Sequence, residues 1–201
     1  MPLANRDVFV NCPFDPHYKP LFYAIVFTVV RSGFRVRCAL ETDDATENRF
    51  SKISAIVKDC RYGIHDISRT EADGDPPLPR FNMPLELGLF LGARQYGNRE
   101  QKAKRCVIYD RELYRFQKYI SDIAGQDIHA HDGDEQTLIV DLAAWLRTQS
   151  GDQTVPGGRA IAREFELFKR ELPDICRARG LEPDELTFPD FNGIVVQYVT
   201  T

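Results

Sequence analysis

Two carboxylates stand where a regular pattern begins or ends. Asp66 lies at the close of the run Arg61-Tyr-Gly-Ile-His-Asp-Ile67, and Glu86 lies in Arg80-Phe-Asn-Met-Pro-Leu-Glu-Leu-Gly-Leu-Phe-Leu-Gly92. A pair of carboxyl groups around a sugar is the arrangement that breaks a glycosidic bond. One attacks or stabilises the anomeric carbon and the other handles protons or hydroxyls. Asn82 and Pro84 open an apolar helix: Asn is a good N-cap, and Pro is tolerated in a first turn. Glu86 is then expected in that first turn, where the positive end of the helix dipole keeps it ionised. An ionised, positioned carboxylate is a candidate nucleophile. Gly88 and Gly92, four apart, predict a flat stripe where the helix lies close on a neighbour.

The remaining titratable residues give weaker patterns. His65 precedes Asp66 and points to the opposite face of its strand, as a packed or surface histidine. His129 and His131 alternate on one strand face without a third ligand at helpful spacing, so no metal is expected. His17 sits at a helix start. Asp15, Asp43 and Asp44 read as solvated loop carboxylates. Arg69 and Arg80 flank an acidic, proline-rich loop, Glu71–Pro79, and are either solvated or a grip for one phosphate. Phe14 and Tyr62 either pack in the core or stack on a base. The five cysteines are scattered and form no C-x-x-C, which suggests free thiols in a reducing cytoplasm.

Net charge −4 argues against broad nucleic-acid binding by phosphate neutralisation. No stretch reaches the roughly 18 apolar residues of a membrane span, and the opening residues lack a signal-peptide layout. No G-x-G-x-x-G, P-loop or G-x-S-x-G occurs. Pro156-Gly157-Gly158 followed by Glu164 is similar to a phosphoribohydrolase signature, but Ala160 and Ile161 replace its next Gly and Thr. That stretch is read as a linker.

These residues must be held by an alternating frame. Asp7-Val-Phe-Val-Asn11 is a buried first strand, followed by a loop with two prolines and a helix over 18–32. Strands are expected at 34–40, 61–67, 105–109 and 127–131, with helices over 48–58, 82–95, 113–123 and 134–149. On the helix over 48–58, Phe50, Ile53 and Val57 share a face. Five such units give an α/β fold, a flavodoxin-like or Rossmann-like parallel five-stranded sheet flanked by helices. The α/β domain is placed at 1–149, with a linker and helical C-terminal extension at 150–201. Pro173 breaks or restarts the first helix of that extension, Gly180 stops it, and 188–199 leans towards helix. Ligands bind at the carboxyl ends of such strands. That rule selects Cys12–Asp15, Asp66–Arg69 and Asn82–Glu86.

With those stretches placed, the chain resembles the nucleoside 2-deoxyribosyltransferase-like group and the neighbouring TIR-like NAD hydrolases. The resemblance rests on Asp7-Val-Phe-Val-Asn-Cys-Pro-Phe14, Ile64-His-Asp-Ile-Ser68 and Asn82-Met-Pro-Leu-Glu-Leu-Gly88, within 7–109. It implies cleavage or transfer at an N-glycosidic bond, with Glu86 attacking C1′ and Asp66 placing the sugar. Within the stretches that the strand-tip rule selects, Cys12, Pro13, Phe14, Ser68, Arg69, Asn82 and Met83 are the candidate substrate contacts. No metal or organic cofactor is implied, and the partner is a small nucleoside or nucleotide, with NAD a candidate substrate. A cytoplasmic homo-oligomer is expected; similar domains occur both in nucleoside salvage and in antiphage defence, and the sequence selects neither. Cys12-Pro13 replaces the usual Gly-Pro of the transferases, and Asn82-Met83 replaces the Ser or Cys of the hydrolases. The alternative is a non-catalytic nucleotide-sensing module that oligomerises on ligand binding.

Overall fold

The computed structural model describes residues 5–70 and 80–200. The expected loop Glu71–Pro79 lies outside them. Five strands form one parallel sheet: β1 (Asp7–Asn11), β2 (Arg35–Arg37), β3 (Tyr62–Asp66), β4 (Arg105–Asp110) and β5 (Ile128–Ala130), in the order β2-β1-β3-β4-β5. This is the flavodoxin-like order, with its switch point between β1 and β3. There Val8 pairs with Tyr62 and Asn11 with His65.

The pleat sorts side chains onto two layers. Val8, Val10, Tyr62, Ile64, Val107 and Tyr109 face α1 (Lys19–Arg31) and α5 (Glu135–Ser150). Phe9 faces α2 (Arg49–Asp59) and α3 (Asn82–Tyr96), where it meets Ile53, Val57 and Phe90. Lower along α3, Met83 and Leu87 pack with Ile67 and Ile108. A single turn, α4 (Arg99–Lys102), leads into β4. Among the described residues no helix is long and apolar enough to cross a membrane.

The segment after residue 150 is helical: α6 (Gly158–Ala178) and α7 (Phe188–Thr200). Both belong to the same core as the sheet. Phe165 and Phe168 pack on Phe27 of α1, and Phe191 stacks on Tyr23 with centroids 3.6 Å apart. Pro173 neither breaks nor restarts α6, which runs through it. Gly180 follows the helix at φ +68°, a left-handed residue suited to a stop.

Several local expectations need correction. The 113–123 segment holds two short 3-10 turns, Arg115–Lys118 and Ser121–Ile123, rather than an α-helix. Tyr114 there is left-handed, and Arg115 is drawn inward onto Asp110. Phe50 lies more than half exposed on α2, off the buried face that carries Ile53 and Val57. Gly88 and Gly92 face open space, so their stripe meets no neighbour among the described residues.

Candidate functional site

A cavity of about 300 Å³ opens at the carboxyl end of β1, beside the switch point. Asn11, Cys12, Pro13, Phe14 and Asp15 form one wall, and Arg80, Asn82, Met83 and Glu86 of α3 and its approach form the other. Arg49, the first residue of α2, closes the rim.

The β1 wall is a turn that locks itself. Asp15 Oδ1 accepts the backbone N–H groups of His17 and Tyr18 at 3.1 and 3.2 Å, so the loop enters α1 in a fixed shape. Asp15 Oδ2 meets Arg80 at 3.3 Å and Arg69 at 3.8 Å. Asp15 is thus a structural anchor of the cavity rather than a solvated acid. Arg69 reaches the site through it, while Arg80 lines the cavity itself.

The α3 wall is positioned by Asn11. Its amide donates to the carbonyl of Met83 at 2.9 Å, and the same nitrogen lies 3.0 Å from Nδ1 of His65. Asn82 does not cap the helix. Phe81 occupies the cap position without a side-chain hydrogen bond, and Asn82 is the first helical residue, exposed towards the cavity. Pro84 still falls in the first turn, as its missing donor allows.

That shift moves Glu86 into the second turn, away from the strongest dipole field. Burial pushes its carboxyl up to about 7, and nearby Arg49 only partly offsets this. Burial is thus the main cause acting on this carboxyl, which stands a turn beyond the helix start. At neutral pH Glu86 is split between a charged, nucleophilic form and a proton-carrying form.

Asp66 is placed differently. With Tyr62 and Ile64 on the α1 side, the pleat turns Asp66 to the same side, while His65 turns towards Phe90 of α3. Asp66 has no exposed surface and does not line the cavity. Its Oδ2 accepts the Tyr18 hydroxyl at 2.5 Å, and its Oδ1 accepts the Ser68 N–H at 2.8 Å. Burial first and Asp66 second hold the Tyr18 hydroxyl protonated, as a donor. Nδ1 of His131 accepts from the Gly133 N–H at 2.9 Å, which leaves the proton of a neutral ring on Nε2. Nε2 lies 3.0 Å from Asp66 Oδ2 but off the line of a hydrogen bond. Ser68 is buried in the same knot, its carbonyl taken by Arg115 at 2.8 Å.

Of the residues selected from sequence, Cys12, Pro13, Phe14, Asn82, Met83 and Glu86 share the cavity; Asp66, Ser68 and Arg69 stand outside its lining. Cys12 links the two groups. Its thiol is pushed far up, by burial first, then by Asp66, Cys38, Glu86 and Asp15. It is a neutral buried thiol within electrostatic reach of both acids, not a thiolate nucleophile. Tyr62 is a core residue, edge-on to Phe34 and Trp145. His65 is neutral, its pKa pushed down to about 3 by burial. Among the described residues no group of three His, Cys, Asp or Glu side chains stands where it could hold a metal ion.

Two lining residues were missed. Asn11 carries a usable signal as the last residue of a strand that ends at a ligand edge. Arg49 carries none, because its approach depends on how α2 packs. No family model, no curated protein and no solved structure matches the chain.

Proposed function

We propose that this chain cleaves or transfers at the N-glycosidic bond of a nucleoside or nicotinamide nucleotide, with Glu86 as the nucleophile. The supporting observation is a half-buried carboxyl, held near pKa 7, in a cavity at the strand tips. Its volume of about 300 Å³ lies at the small end of the range for small-molecule sites. The ionised Glu86 oxygen adds to C1′, the C1′–N bond breaks, and the base or nicotinamide leaves with the electron pair. Water or a second base then attacks C1′ and releases Glu86. Arg49 and Arg80 offer cationic groups to a phosphate at the rim. Asp66 acts in this reading as a positioning residue, through Tyr18 and the Ser68 backbone, rather than by touching sugar.

The test is Glu86→Gln, assayed for release of free base from nucleosides and of nicotinamide from NAD. Loss of turnover supports the role, and unchanged turnover removes it.

A second reading has its own support. With Asp66 locked away from the cavity and Asp15 held by arginines, Glu86 is, among the described residues, the one acid of the lining left to act. A nucleotide-binding module without turnover fits that arrangement. It requires saturable binding of nucleotide with no product, and a change of assembly with ligand.

A further inference from the structure

A second concavity of about 980 Å³ lies between α5 and α6 and shares no residue with the Glu86 cavity. The two helices run antiparallel and touch closely. A Cβ on Gly158 would come within 2.5 Å of the Val140 backbone, and Lys169 bridges across to Glu135 at 2.5 Å. The groove between them is therefore fixed at both ends. Its floor exposes Val140 and, by about half of its surface, Leu167.

The charges of the groove are unequally occupied. Asp134 caps α5 through Thr137, Asp141 accepts from Tyr109 and meets His129, and Glu166 holds Lys169. Arg159, Arg163 and Arg170 have no hydrogen bond or ion pair among the described residues. Four and seven residues apart, they share one face of α6 and span about 16 Å of its axis, roughly three helical turns.

We propose that the α5–α6 groove docks an acidic amphipathic helix of a partner protein. Its apolar stripe rests on Val140 and Leu167, and its carboxylates pair with Arg159, Arg163 and Arg170. Two antiparallel helices with an exposed apolar seam form the usual receiver for a third helix, and the unspent charge is positive. A nucleic-acid backbone fits less well, because three acids line the same groove and the floor is apolar.

The experiment titrates the full chain into a fluorescein-labelled helical peptide, with leucines at helical spacing and glutamates four and seven residues apart. The expected result is saturable anisotropy. It weakens about tenfold or more in the variant Arg159→Glu, Arg163→Glu, Arg170→Glu. That variant should instead bind a matched peptide carrying lysine for glutamate, a gain that misfolding does not produce. Leu167→Asp should weaken both pairings. No saturable binding, or binding indifferent to the three arginines, overturns the proposal. So does tighter binding of duplex DNA through the same arginines, or self-association of the unmodified chain that the triple change abolishes.

Discussion

The amide of Asn11 donates to the carbonyl of Met83 at 2.9 Å, and so ties the tip of β1 to the first turn of α3. Glu86, the candidate nucleophile, stands about one turn further along the same helix. Asn11→Ala removes the side-chain donor to the Met83 carbonyl and should cost about 0.5–1.5 kcal/mol of stability. Its effect on turnover should exceed that of an equally destabilising change in α6. Urea unfolding together with kcat on the same variants checks both.

A carboxyl with its pKa near 7 gives the site a pH signature. If the ionised form attacks C1′, kcat/KM rises as pH climbs through about 7 and levels above it. A fall over the same window would make Glu86 a proton donor instead. The profile in Glu86→Gln should lose this inflection.

The same shift has a stability consequence. Burial raises the folded-state pKa above its unfolded value, so between about 4.5 and 7 the folded chain holds more protons than the unfolded chain. Stability falls as pH rises through that window. Glu86→Gln removes the cost and should stabilise the protein at pH 8 by about 1–2 kcal/mol, a figure discounted for the carboxyl's partly open side. At pH 4 it should change little. Thermal melts at the two pH values read this directly.

Asp66→Asn should behave in the opposite way. It weakens the acceptor of the Tyr18 hydroxyl inside a site with no exposed surface. A loss of about 2–4 kcal/mol is expected, with KM for any nucleoside moved less than stability. A large change in KM at unchanged stability would show instead that Asp66 touches substrate.

Gly158→Ala should push α6 off α5, because the new Cβ meets backbone rather than a movable side chain. About 1–3 kcal/mol of destabilisation is expected from overpacking. The loss should be visible in thermal melts without a change in the Glu86 cavity.

Much of this architecture was legible from period and punctuation. The β-branched run at Asp7–Asn11 and the helix side carrying Ile53 and Val57 each name one buried face. Their alternation yields the parallel sheet. The strand-tip rule found the cavity wall from Cys12 to Phe14 and the opposite wall at Asn82 and Glu86. It failed for Asp66 because proximity along the edge is not orientation. The pleat that sends His65 to α3 sends Asp66 to α1, and the placement of Tyr18 and His131 then buries it. Glu86 was misjudged for a related reason: its ionisation follows from tertiary burial, while the sequence displays only its distance from a helix start. The inward turn of Arg115 onto Asp110, within the segment that forms 3-10 turns, gave no signal in its neighbours.

The covalent role of Glu86 is tested most directly by trapping. The full chain is incubated above pH 7 with nucleosides carrying a 2′-fluorine that slows release of a glycosyl intermediate, and its peptides are then read by mass spectrometry. A glycosyl adduct on Glu86, absent from Glu86→Gln, is the predicted result. An unmodified Glu86 in a chain that still releases base, or an adduct on another residue, would contradict it.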